Sequence, residues 1–256
     1  MTTDAPKRSE RDQREIDFFA SYYAEQAYNP VGSKLKLKRD LRALLAATGR
    51  RLGRVLSIGC GDGEFERMLA PHADRVTALD ISPEAIEIAR HHAKRAGLSN
   101  LEFRCLGVNE LEWSERFDTI TCVAFLHHVP EAELPDLLRR VHEQLAPGGV
   151  FYSQDPNVNG VMRKIGRVVM GSHYDDYHSA DERELDPDEL RAQLSEAGFA
   201  IVEIVPIDLT LLPAMYILAK RPSWPLHVCA LVDRAWCATP LGRWASGFAA
   251  LSRRAA

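Results

Sequence analysis

From residue 54 onward the chain alternates short apolar runs with amphipathic stretches. "RVLSI", "RVTALD", "LEFRCL", "FDTITCVA" and "VFYSQD" are short, rich in Val, Ile, Leu and Phe, and bounded by turn residues, as buried strands are. Between them lie segments whose apolar residues recur three or four apart, the spacing of one helix face. The clearest is "SPEAIEIARHHAKRAG", in which Ser82 supplies an N-cap, Pro83 fits the first helical position and Gly97 ends the helix. "PEAELPDLLRRVHEQLAPGG" predicts a second helix, closed by a Pro-Gly-Gly turn. This alternation predicts an α/β fold: βαβ units building a mostly parallel sheet with helices on both faces.

The flanks depart from that rhythm. Residues 1–50 predict a polar tail and a helical cap ahead of a main domain over 51–256. In the cap, "IDFFASYYAEQAY" carries aromatics at helical spacing and a second helix is expected over Leu35–Ala47. Lys34, Lys36, Lys38 and Arg39 on that helix are expected to form a solvated face. After Asp155 the alternation stops, and residues 156–186 predict a long irregular segment around "VMRKIGRVVM", of the kind that forms lids over binding sites. "DPDELRAQLSEAGF" resumes as a helix on an Asp186 cap, "FAIVEIVPIDL" predicts a sixth strand and "GFAALSRR" a seventh. Residues 211–245 are apolar but broken by prolines, and predict a helical insertion before the last strand. Its tryptophans, Trp224, Trp236 and Trp244, suit core packing, an acceptor wall, a homodimer face or a membrane-touching patch.

Composition narrows the partners. At 256 residues and 46% hydrophobic, the chain can bury a full core. A formal charge of -4 offers no bulk attraction to nucleic acid, so a small molecule or a protein is the expected acceptor. Five cysteines form no CxxC pair, the N-terminus lacks an apolar signal core, and no run reaches the roughly 18 apolar residues of a spanning helix. These features predict a cytoplasmic protein with no transmembrane segment.

The candidate chemistry begins in "VLSIGCGDGEFE", a strand running straight into Gly59, Gly61 and Gly63. Such a turn lets a ligand approach backbone N–H groups at a helix start. Glu64 stands where a dinucleotide fingerprint needs its third glycine, which weakens a nicotinamide assignment. About twenty residues further on, Asp80 ends the second strand, where a carboxylate can accept both hydroxyls of a ribose.

With "VTALDISPEAIEIAR", "FDTITCVAFLHHV", "LRRVHEQLAPGGVFYSQDPN" and "LRAQLSEAGF" following in order, the chain resembles the class I S-adenosylmethionine-dependent methyltransferases over Arg54–Phe199. The resemblance implies a Rossmann-like seven-stranded sheet with an antiparallel last strand, and S-adenosyl-L-methionine as cofactor. It implies that Gly59, Gly61 and Gly63 border the methionine part, with Cys60 between them also a cofactor-binding candidate, that Asp80 holds the ribose, and that Ile81 packs on the adenine. Ala124 and Phe125 would face the methionine end. Two positions depart from the family pattern. Ser57 stands where an acidic residue is common, and Gly107 and Val108 replace an acidic residue near the adenine, leaving Asn109, Glu110 or backbone groups to substitute.

Methyl transfer needs alignment more than catalytic groups, with a general base where the acceptor must lose a proton. His127 and His128 follow the fourth strand, and either suits base catalysis or a structural role. Asp155, a third catalytic candidate, and Asn157 end the fifth strand at the same edge and suit acceptor binding or a plain Asp-Pro-Asn turn. Tyr174, Tyr177 and His178 are candidates for an acceptor-covering lid, and the irregular spacing of that segment argues against a metal site. The function implied is methyl transfer to a small molecule, such as a secondary metabolite or lipid-like intermediate. Modification of a protein or peptide, and a non-catalytic scaffold that retains the cofactor fold, are the alternatives.

Overall fold

The computed structural model describes residues 9–25, 30–110, 115–171, 179, 181–218 and 223–256. Its centre is a seven-stranded sheet: β1 (Gly53–Ile58), β2 (Ala73–Asp80), β3 (Leu101–Cys105), β4 (Phe117–Val123), β5 (Leu145–Pro156), β6 (Ile201–Ile207) and β7 (Gly247–Arg253). The spatial order is β3-β2-β1-β4-β5-β7-β6, with β7 antiparallel to both its neighbours and the other pairs parallel. The order reverses between β1 and β4. In open α/β sheets this is where ligands bind, outside the carboxyl ends of the two strands.

The helices are α1 (Glu10–Glu25), α2 (Pro30–Ala47), α3 (Glu64–Leu69), α4 (Pro83–Arg95), α5 (Leu134–Gln144), α6 (Val161–Met170), α7 (Pro187–Glu196), α8 (Leu211–Ile217) and α9 (Trp224–Cys237). Local chemistry sets several boundaries as the sequence predicts. Ser82 accepts the Ala85 N–H at 3.2 Å to cap α4, and Asp186 accepts from Asp188 and Glu189 to cap α7. α2 starts five residues earlier than its periodicity predicts, because Pro30 tolerates the first helical turn.

Two apolar clusters sandwich the sheet. On one face Leu56, Ile120 and Phe151 meet Leu137, Leu138 and Val141 of α5 and Leu190 and Leu194 of α7. On the other, Val55, Val76 and Tyr152 meet Leu44 of α2 and Phe65 and Leu69 of α3. α2 also corrects the expectation of a uniformly solvated basic face. Lys34 and Lys38 are exposed, but Lys36 and Arg39 pair with the buried Asp208 beyond β6, and Arg39 also pairs with Asp40. Asp40 is in turn held by the Tyr152 hydroxyl at 2.9 Å. A buried acid supplies a reason for a half-buried cation that periodicity cannot see.

The tryptophans of the insertion lie at the surface, with Trp224 70% exposed, and Arg243 stacks over Trp244 at 4.6 Å. Among the described residues no helix is long and apolar enough to cross a membrane.

Candidate active site

A cavity of about 640 Å³ opens at the switch point. Its floor is the glycine turn after β1, where Gly59, Gly61 and Gly63 all hold positive φ. A Cβ at Gly59 would meet the Phe125 ring at 2.4 Å, so that glycine lets the β1 and β4 loops approach closely. Gly63 does not line the cavity; its Cβ would meet Phe103 at 2.7 Å and Ala89 at 3.0 Å, which makes it a packing glycine for α4 and β3. Gly63→Ala is expected to destabilise the fold by about 1–3 kcal/mol, read by denaturant unfolding, with ligand affinity little changed.

The turn is not a nest of unpaired donors. Gly59 and Cys60 N–H both donate to the Leu79 carbonyl at 2.9 Å, Gly63 N–H donates to Cys60, and Glu64 N–H donates to the Asp62 side chain. Gly61 N–H donates to Asp80 at 2.8 Å, while the other Asp80 oxygen accepts from Ser82 N–H at 2.9 Å. Asp80 thus ties the turn to the cap of α4 while lining the cavity itself. Burial raises its carboxyl above the usual range, opposed by those two N–H donors. Cys60, Ile81, Gly107, Val108, Asn109, Ala124 and Phe125 all line the same space.

Beside each of the two departures from the family pattern, a neighbouring acid lines the cavity. At the third strand, Glu110 folds back so that its carboxylate accepts the Gly107 N–H at 2.7 Å, and it lines the cavity. Asn109 is exposed, its side chain engaged by Glu133 and Arg140. In β1, Ser57 is buried and does not line the cavity; its hydroxyl donates to Glu66 of α3 at 2.6 Å, and Glu66 does line it. Glu66 was legible in sequence only indirectly. It lies three before Leu69 and four before Ala70, on the apolar face of its helix, where a charged residue needs a reason.

On the β4 and β5 side, His127 and His128 form one short 3-10 turn (Leu126–His128). His127 Nδ1 lies 3.0 Å from Asp155 Oδ1, the His127 backbone N–H donates to the same oxygen at 3.2 Å, and Nε2 lies 3.8 Å from Glu182. Asp155 is fully buried behind the ring, and burial pushes its carboxyl up to about 7 against the N–H groups it accepts. His128 Nδ1 lies 3.1 Å from Glu15 of α1, whose other oxygen accepts from Ser179. Desolvation acts to raise the Glu15 carboxyl, but the His128 and Ser179 contacts outweigh it and hold it below its ordinary value. α1 is further fastened by Arg11 to the His128 carbonyl and by Arg14 to Asp181. His127, His128 and Glu182 each bring one ligand-type atom within 4.8 Å of the others, a cluster that residue spacing along the chain does not reveal.

Asn157 is elsewhere. It is buried and outside the cavity, donating to the Arg243 and Ala245 carbonyls and accepting from Asn159 N–H, so it clamps the end of β5 to the chain ahead of β7. Tyr174, Tyr177 and His178 lie outside the described residues. The described ends of the 156–186 segment meet at the rim of the sheet, where Val158 N–H donates to Leu185 and Leu185 N–H to Pro156. Away from the glycine turn, the cavity is walled by Leu37 of α2, Pro156, Arg163 of α6, and Leu212 and Tyr216 of α8.

Two buried acids raised to about 7, Glu66 and Asp155, contribute to the pH response of the fold. Each binds a proton more tightly folded than unfolded, so its contribution is fully present below the unfolded value and is lost as pH rises towards 7. Glu66→Gln removes one of these losses. Its unfolding free energy, read by denaturant titration, should exceed that of wild type above about pH 7 by on the order of 1–3 kcal/mol, and the gap should close by about pH 4.

The residues present suit a ligand with an adenosine and a charged amino-acid arm. A carboxylate stands at the end of β2, a small-residue turn faces an open cavity, and a buried carboxylate with one unpartnered oxygen lines it. Comparison with known proteins agrees. A family model described as a methyltransferase domain matches residues 24–204. The chain is 30% identical over 203 residues to a ubiquinone biosynthesis O-methyltransferase of Bordetella avium, spanning 73% of this chain and 80% of that one. With the enzyme of the same name from Xanthomonas euvesicatoria it shares 29% over 211 residues, 77% of this chain and 85% of the relative. Among solved structures it is similar to the N-methyltransferase NodS from Bradyrhizobium japonicum bound to S-adenosylhomocysteine, with a TM-score of 0.59, 19% identity and 88% of each chain covered. The sheet order, the Gly61–Asp80 pair and the family match together make this chain a member of the class I S-adenosylmethionine-dependent methyltransferases.

Proposed function

We propose that the enzyme methylates a hydroxyl group of a small, largely apolar acceptor, with His127 as general base. The His127–Asp155 pair carries this. With Nδ1–H assigned as donor to the buried Asp155 at 3.0 Å, the tautomer and ring orientation are fixed and Nε2 is the nitrogen that takes a proton. A positive ring then lies between Asp155 and Glu182, which stabilise it. Proton removal matters for a hydroxyl, whose oxygen is a weak nucleophile until deprotonated.

When bound, S-adenosylmethionine supplies a methyl group already activated on a sulfonium. Asp80 is assigned to the ribose, Glu110 and the backbone at Gly107 and Val108 to the adenine, and Gly59 and Gly61 to close approach at the methionine arm. Leu37, Pro156, Leu212 and Tyr216 are assigned to the acceptor, and their apolar character supports an acceptor of low polarity. Helices α1, α2 and α8 act as the cap that excludes water. The relatives named as O-methyltransferases of ubiquinone biosynthesis support hydroxyl chemistry.

The test is methyl transfer from labelled cofactor to catechols and other phenols, against primary amines of similar size. Label in the phenol fraction supports the proposal. Transfer only to amines overturns it.

A further inference from the structure

We propose that Glu66 anchors the amino group of the cofactor's methionine arm, in place of the acidic residue that β1 lacks at Ser57. This rests on the methyltransferase assignment and adds a residue that lies outside the glycine motif.

Glu66 is only 2% exposed, yet it lines the cavity beside Gly59 and Gly61. One of its oxygens is fixed by a relay from the sheet. Thr121 of β4 donates to the Ser57 hydroxyl at 3.0 Å, and Ser57 donates to Glu66 Oε1 at 2.6 Å. The other oxygen, Oε2, has no hydrogen-bond partner among the described residues. A buried carboxylate oxygen left that way is costly unless a donor arrives from elsewhere. No described cation pairs with it: Arg67, the next residue along α3, turns its guanidinium to the Asp62 carbonyl at 2.8 Å. The donor with the right charge is an ammonium.

The position of Ser57 explains the exchange. A short side chain on β1 leaves room for a longer acid on α3 to reach the same end of the cavity, and the serine hydroxyl becomes its orienting donor. Burial pushes the Glu66 carboxyl up to about 7, with Asp62 adding to the rise and the Ser57 hydroxyl and Arg67 opposing it. A cation seated against Oε2 favours the ionised form.

The test is calorimetry on wild type and Glu66→Gln with two probes: S-adenosylhomocysteine, and its analogue in which hydrogen replaces the amino group. Expected is a loss of roughly 10- to 100-fold in S-adenosylhomocysteine affinity in the variant, with the analogue binding both proteins equally. Equal weakening of both probes would mean that Glu66 only supports the turn, and overturns the proposal. So does wild-type affinity for S-adenosylhomocysteine in the variant. Wild type that binds neither probe overturns the cofactor assignment itself, a result distinct from the other two.

Discussion

His127→Ala should lower kcat by about 100- to 10,000-fold, the range over which a positioned general base contributes. The affinity for S-adenosylhomocysteine should stay close to wild type, because the ring lies on the β4–β5 side of the cavity and the cofactor contacts are assigned to β1, β2 and β3. Asp155→Asn is the companion variant. It keeps the shape behind the ring but replaces a carboxylate acceptor with an amide that can hold the wrong tautomer. Its kcat should fall as well, with KM for the acceptor little affected. Steady-state kinetics with a phenolic acceptor, at saturating cofactor, checks both. An unchanged kcat in His127→Ala removes the base and leaves the enzyme working by alignment alone.

Asp80→Ala should abolish measurable cofactor binding. Two hydrogen bonds from ribose hydroxyls to a charged group are each worth about 1.5–3 kcal/mol, so their joint loss exceeds 100-fold in affinity. The structure adds a second cause, since the same carboxylate holds Gly61 and Ser82 and so sets the turn against α4. Asp80→Asn separates the two: its amide oxygen can keep one backbone N–H, and its affinity should fall between those of wild type and the alanine variant. Calorimetry with S-adenosylhomocysteine reads all three proteins, and wild-type affinity in Asp80→Ala would end the ribose assignment.

Two neighbouring parts of the site differ in how they could be known beforehand. The glycine turn and Asp80 were legible because both follow from chain-local rules: glycines where φ is positive, and an acid at the end of an apolar strand one βα unit later. Glu66 was legible only indirectly, as a charge on an apolar helix face, because its meaning depends on Ser57 from the adjoining strand and Thr121 from the next. Asn157 shows the reverse. Its place after β5 suited an acceptor contact, but its side chain meets carbonyls some 86 and 88 residues away, and no local pattern announces such a clamp.

The sequence by itself determined the order of elements, the parallel sheet, the caps at Ser82 and Asp186, and the family, since hydrophobic period and turn chemistry act over a few residues. Only the tertiary structure decided which polar and charged groups meet: His127 with Asp155 and Glu182, His128 with Glu15, Arg39 with Asp208, and Glu66 with Ser57. The physical reason is that burial and charge pairing depend on distances across the fold, which residues far apart in the chain acquire only when the sheet and its helices have packed.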